Sequence, residues 1–196
     1  MRLRQSSQTR RHHPIALLLL VAVAHTPCTH ALAAVADQLR DGCRSLAGGR
    51  WQAAAQAFQD AAAQDAQCAE AFLGAGVAQL LAGYEAAALE YFAKALVVDP
   101  QLGAAHLARG TACYLNNDLV GAWNEYQRAL TAGVSEQAAV RATAAQVACM
   151  LGEYPVAATV AQEALALDAR CELALQVQAA ATLARGNAAE ALQVLR

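Results

Sequence analysis

Gly49, Gly83, Gly152 and Gly186 are separated by 34, 69 and 34 residues, so a single inserted residue reduces the series to one period of 34. Phe58, Phe92 and Tyr126 keep the same interval. A fixed period of this length describes a string of copies of one supersecondary unit, each burying its apolar face only against its neighbours. That constraint sets aside most globular architectures and turns the question to the unit itself.

Ala69 to Pro100 shows the unit most clearly. Phe72, Leu73, Val77, Leu80 and Leu81 recur as one face of a helix requires. Gly83 tolerates the backbone bend between two antiparallel helices. Ala88, Leu89, Phe92, Ala95 and Leu96 form a second helical face, and Asp99-Pro100 ends it because a residue before proline is pushed out of the α region. Gly76, Ala88 and Ala95 are small where two backbones must approach. The pattern predicts a helix hairpin.

Gly76, Gly83, Ala88, Phe92, Ala95 and Pro100 give this stretch a family character: it resembles the tetratricopeptide repeat, a 34-residue helix-turn-helix unit. Phe72 takes the place of the family's first-helix tryptophan, and Gln79 departs from its tyrosine. Shifted copies carry Gly42, Gly49, Ala54, Phe58 and Ala61 upstream, and Gly110, Ala122, Tyr126 and Ala129 downstream. Later copies carry Ala145, Gly152, Ala157, Ala161 and Ala164, then Ala179, Gly186 and Ala191. The resemblance implies an all-α, right-handed superhelical solenoid of antiparallel helix pairs, with about four and a half to five units. These fall at about 35–68, 69–102, 103–137, 138–171 and 172–196. It places Ala54, Ala88, Ala122 and Ala157 at close helix contacts. It identifies an architecture and carries no reaction.

The copies differ in instructive ways. The first opens on a polar helix (Asp37, Arg40, Asp41, Arg44), as suits an end unit with one side in water. Trp51 follows its glycine turn and is read as packing there with its N–H left wet. The third replaces the glycine turn with Asn116-Asn117-Asp118, which can make the bend through side-chain caps. The fourth puts Pro155 in the first turn of its second helix, where no N–H is needed. The fifth reaches Arg196 inside its expected second helix, with no polar capping helix after it. The expectation is either self-association through an open C-terminal end or a truncated reading of a longer protein.

Residues 1–33 read as a signal peptide: arginines precede the apolar run Pro14–Ala24, and Ala31-Leu32-Ala33 offers the small residues a signal peptidase reads. Cleavage is expected after Ala33, leaving an exported chain, periplasmic or secreted. An uncleaved anchor is the alternative. Lipidation at Cys28 and a twin-arginine signal at Thr9-Arg10-Arg11 are weaker readings, because the residues around them depart from those patterns. Removing 1–33 takes 4 of 14 basic residues and none of 16 acidic ones, leaving 10 against 16, a formal charge of −6. That surface has no electrostatic footprint for nucleic acid.

Apolar residues make up 57% of the chain. Much of this is alanine, which favours helix but buries little area per residue. Catalytic patterns are poor. His106 is the single histidine after residue 33 and falls at the position of Phe72, where a half-buried packing role fits better than a general base. Carboxylates are scattered singly on faces expected to be solvated. Cys43, Cys68, Cys113, Cys149 and Cys171 show no Cys-x-x-Cys spacing, so no metal or cofactor is expected. A Cys43–Cys68 or Cys149–Cys171 bridge is sterically conceivable.

The resemblance also implies a concave groove lined by first-helix residues: Leu39, Leu46, Leu73, Val77, Leu80, Leu107, Thr111 and Tyr114. Leu39, Leu73 and Leu107 lie one period apart and are expected to stack as an exposed apolar ladder. The Lys/Asn/Arg set with which some family members clamp a terminal carboxylate is missing; Leu39, Cys43, Gly74, Ala104 and Ala108 stand there. An apolar groove suits an amphipathic or extended apolar segment. The expected function is that of a non-enzymatic scaffold for another envelope protein, of the exported bacterial type, touching membrane only through its partner or an uncleaved signal. The alternative is the N-terminal part, or a helper subunit, of a larger secretion, pilus-assembly or envelope-biogenesis machine.

Overall fold

The computed structural model describes residues 33–134 and 137–194, so the expected signal peptide and its Cys28 and twin-arginine variants lie outside the described residues. Ten α-helices and no strand occur among the described residues. They are α1 Ala33–Ala47, α2 Trp51–Gln64, α3 Ala69–Leu81, α4 Glu85–Val98, α5 Gly103–Leu115, α6 Leu119–Thr131, α7 Ala138–Met150, α8 Tyr154–Leu167, α9 Glu172–Ala184 and α10 Ala188–Val194. The chain forms two compact units, one up to Ala112 and one from Cys113, with the boundary inside α5.

Each odd-numbered helix ends in the same kind of turn. Gly49, Gly83, Gly152 and Gly186 adopt φ of 69°, 86°, 83° and 86°, the left-handed region where a Cβ is unfavourable. Each donates its N–H to the carbonyl three residues back, and the next residue donates to the carbonyl five back, as in Tyr84 to Gln79 at 2.9 Å. This is the Schellman closure of a helix C-terminus. After α5 the glycine position of the motif is Asn117, at φ 61°, with Asp118 donating to the Cys113 carbonyl at 2.9 Å. Asp118 then caps α6 by accepting from Gly121 N–H at 2.9 Å. The asparagine turn therefore combines a left-handed backbone with a side-chain cap.

A second periodic turn closes three even-numbered helices. Asp65, Asp99 and Asp168 leave the helix in extended conformation. Each carboxylate accepts the N–H two residues on (Gln67, Gln101, Arg170) at 2.9 Å. These Asx turns share the spacing of the glycines and set where α3, α5 and α9 begin. In the sequence only Asp99, through its proline, stands out as a stop.

In the first unit, α2 packs on α1 and α3, and α3 on α4. The ring of Phe58 on α2 lies between Gly42 of α1 and Gly74 of α3, and that of Phe92 on α4 against Gly76 of α3. A Cβ at Gly76 would also stand 3.2 Å from the Ala88 carbonyl oxygen, so these backbones are close. In the second unit, α7 packs on α8, α9 crosses both, and α10 packs on α9. Its core is mostly alanine: Ala145, Ala148, Ala157 and Ala161 enclose Val177, with Trp123, Cys149, Val160 and Leu173 packed around them. Pro155 occupies the first turn of α8 as expected.

Candidate functional site

The expected ladder is not an open surface. Leu73 is 0% and Leu107 1% exposed, while Leu39 is half-buried against Val35, Ala61, Ala62, Cys68 and Ala71. Leu46, Val77, Leu80 and Thr111 are buried as well, and Thr111 donates its hydroxyl to the Leu107 carbonyl at 2.9 Å. Tyr114 is half-buried. The physical reason lies in the alanine content. Alanine fills little volume, so the few large side chains on the first helices are drawn into the spaces that alanines leave.

Other expected sites take structural roles. His106 is buried, with Nε2 3.1 Å from the Pro100 carbonyl oxygen, more enclosed than the half-buried position expected. Trp51 opens α2 half-buried, in a small open cleft lined by Gln52, Gln56, Gln59, Gln79 and Tyr84. The structure holds the five described cysteines as thiols, so neither conceivable bridge is formed. Burial raises the thiol pKa of Cys43 and of Cys149, the opposite of nucleophile activation. Glu125 corrects the reading of the carboxylates as solvated: it is 7% exposed, with Oε1 3.6 Å from Arg128 Nη1. Among the described residues no three His, Cys, Asp or Glu side chains converge as a metal site. No described helix is long and apolar enough to cross a membrane.

An open apolar surface lies on the face shared by α9 and α10. Gln176, Ala179, Ala180 and Leu183 of α9 and Ala188, Ala191 and Leu192 of α10 line an open groove of about 470 Å³. Gln176 is the one polar residue in that lining. Leu183 and Leu192 are 57% and 62% exposed, against the buried leucines of the expected ladder. Ala179 and Ala191 form a floor that is itself buried. The Gly186 turn fixes the angle between the two helices by closing α9. An exposed apolar strip with a small-residue floor accepts aliphatic side chains from a helix or an extended segment.

No protein-family model matches the sequence, and no curated protein matches it. Solved structures do resemble it. MamA from Desulfovibrio magneticus RS-1 shares 15% identity at a TM-score of 0.73, over 85% of this chain and 93% of that one. TTC0263, described as a thermophilic TPR protein in Thermus thermophilus, shares 25% identity at a TM-score of 0.63, over 82% and 88%. YrrB, described as a TPR protein with an unusual peptide-binding site, shares 19% identity at a TM-score of 0.68, over 79% of each chain. The likeness spans most of the described helices.

Proposed function

We propose that this chain, a protein of the tetratricopeptide-repeat fold, is a non-enzymatic scaffold of the cell envelope that holds another protein through the apolar α9–α10 groove. The observation that carries this reading is the exposure of Leu183 and Leu192 beside a buried alanine floor. A fold of stacked helix pairs offers surface rather than chemistry, and the raised thiol pKa values of Cys43 and Cys149 favour inert side chains. Export rests on the arginine-flanked apolar run before Ala31-Leu32-Ala33. The peptide-binding site named for YrrB supports a protein ligand by analogy of fold.

Site-directed photocrosslinking in cells tests the reading. A photoreactive residue at position 183 or 192 should give a discrete protein adduct in the envelope fraction, and one at the exposed Glu90 should not. The crosslinked chain should begin at Ala34. Absence of adducts from every exposed helix face would overturn the scaffold, and full-length protein confined to the cytosol would overturn export.

A further inference from the structure

The α7–α8 pair carries the counterpart of the α9–α10 face one period earlier. A shift of 34 places Ala145 on Ala179 and Ala157 on Ala191. On the earlier pair this face is filled. Val177 of α9 completes the buried cluster with Ala145 and Ala157, and Leu173 packs against it. Leu173 also lies against the Ala142, Ala164 and Ala174 cluster. The element that fits an alanine floor of this kind is therefore a helix with leucine and valine four apart, so that both point to one side. The α9–α10 face keeps the floor and changes its rim: Leu183 and Leu192 stand where the earlier pair has Cys149 and Ala158, and Ala188 where it has Tyr154.

We infer that the α9–α10 face docks an amphipathic helix of a different protein, bearing aliphatic residues four apart and seated in the register α9 takes on α7–α8. This rests on the scaffold reading above and specifies its ligand. A second copy of the chain is a poor occupant. Its helices of the required pattern are already turned inward, with Val35 and Leu39 of α1 in one cluster and Leu173 and Val177 of α9 in another. Among the described residues no two large exposed apolar side chains stand four apart on one helix. The outer side of α1 carries the Arg40–Asp37 and Arg44–Asp41 pairs, both mostly in water. Pressing them onto Leu183 and Leu192 would strip four charges of solvent for little return.

The test uses the full chain and a fluorescein-labelled peptide with the α9 sequence Glu172–Ala184, flanked by lysines. Anisotropy should report saturable binding. The L183S/L192S chain should weaken it about tenfold or more, as expected when central apolar anchors are lost. A peptide carrying L173S and V177S should lose binding to the same degree. The inference is overturned if the unaltered chain fails to bind the peptide at millimolar concentration. It is equally overturned if L183S/L192S binds unchanged, since the peptide would then be exchanging with α9 on the intact α7–α8 face. Sedimentation supplies the third arm: a dimer dispersed by L183S/L192S would overturn the inference by assigning the face to a second copy. Failure of the peptide alongside crosslinks from positions 183 and 192 would overturn it while leaving the scaffold reading standing.

Discussion

Phe58 and Gly74 are in such close contact that a Cβ on the glycine would stand 2.5 Å from the phenylalanine Cδ1. The ring cannot retreat, because its tip meets Gly42 of α1 so closely that a Cβ there would stand 2.7 Å from it. One aromatic residue thus joins three helices through two missing side chains.

Gly74→Ala is expected to destabilise the protein. Alanine gains about 1 kcal/mol over glycine in a helix interior. Overpacking costs about 1–3 kcal/mol and exceeds that gain where, as here, the neighbour is held on both sides. The companion Phe58→Leu in the G74A background should recover part of the loss by making room. Thermal unfolding of the single and double variants checks both signs, and an unchanged or raised melting temperature for G74A would contradict the contact.

Gly83→Ala isolates a different effect. Nothing lies within 4 Å of its Cβ position, so space is available, but φ is 86°. The expected loss is about 1–2 kcal/mol, from the left-handed backbone alone. Asn117→Gly, at φ 61°, should change stability by less than about 1 kcal/mol, since asparagine already tolerates that backbone and glycine mainly loosens the unfolded chain. Denaturant unfolding of the two variants separates backbone strain from packing. Equal losses at both positions would contradict this account of the turns.

Cys43 and Cys149 should react slowly. Burial raises both thiol pKa values, so the thiolate that attacks iodoacetamide is scarcer at pH 8 than in an unfolded chain. Mass spectrometry of alkylation against time, in buffer and in guanidinium, should show slower labelling of both residues in buffer. Equal rates in the two conditions would contradict their partial burial.

The helices and their turns are legible in the sequence because special residues mark them: Gly49, Gly83, Gly152 and Gly186 sit where the backbone needs a positive φ, and Pro155 where it needs no N–H. Even the Asn117 replacement can be read, because asparagine shares glycine's tolerance of that region. The binding face is not legible from the leucines. Periodicity shows that Leu39, Leu73 and Leu107 share a position in the repeat; it does not show whether a neighbour covers them. Coverage depends on the volume of the surrounding residues, and in this chain those are alanines. Buried Glu125 escapes a sequence reading for a related reason, since one carboxylate carries no periodic signal.

The most direct test compares the melting temperatures of two double variants, L73S/L107S and L183S/L192S. Emptying the buried pair is expected to cost about 2–5 kcal/mol per leucine. Surface changes stay within about 0.5 kcal/mol. At about 2–4 °C per kcal/mol for a chain of this size, L73S/L107S should melt at least about 8 °C lower or fail to fold, and L183S/L192S, with two such surface changes, should melt within about 4 °C of the parent chain. A stable L73S/L107S beside an unfolded L183S/L192S would contradict the account, placing the open surface on the ladder and the core at α9–α10.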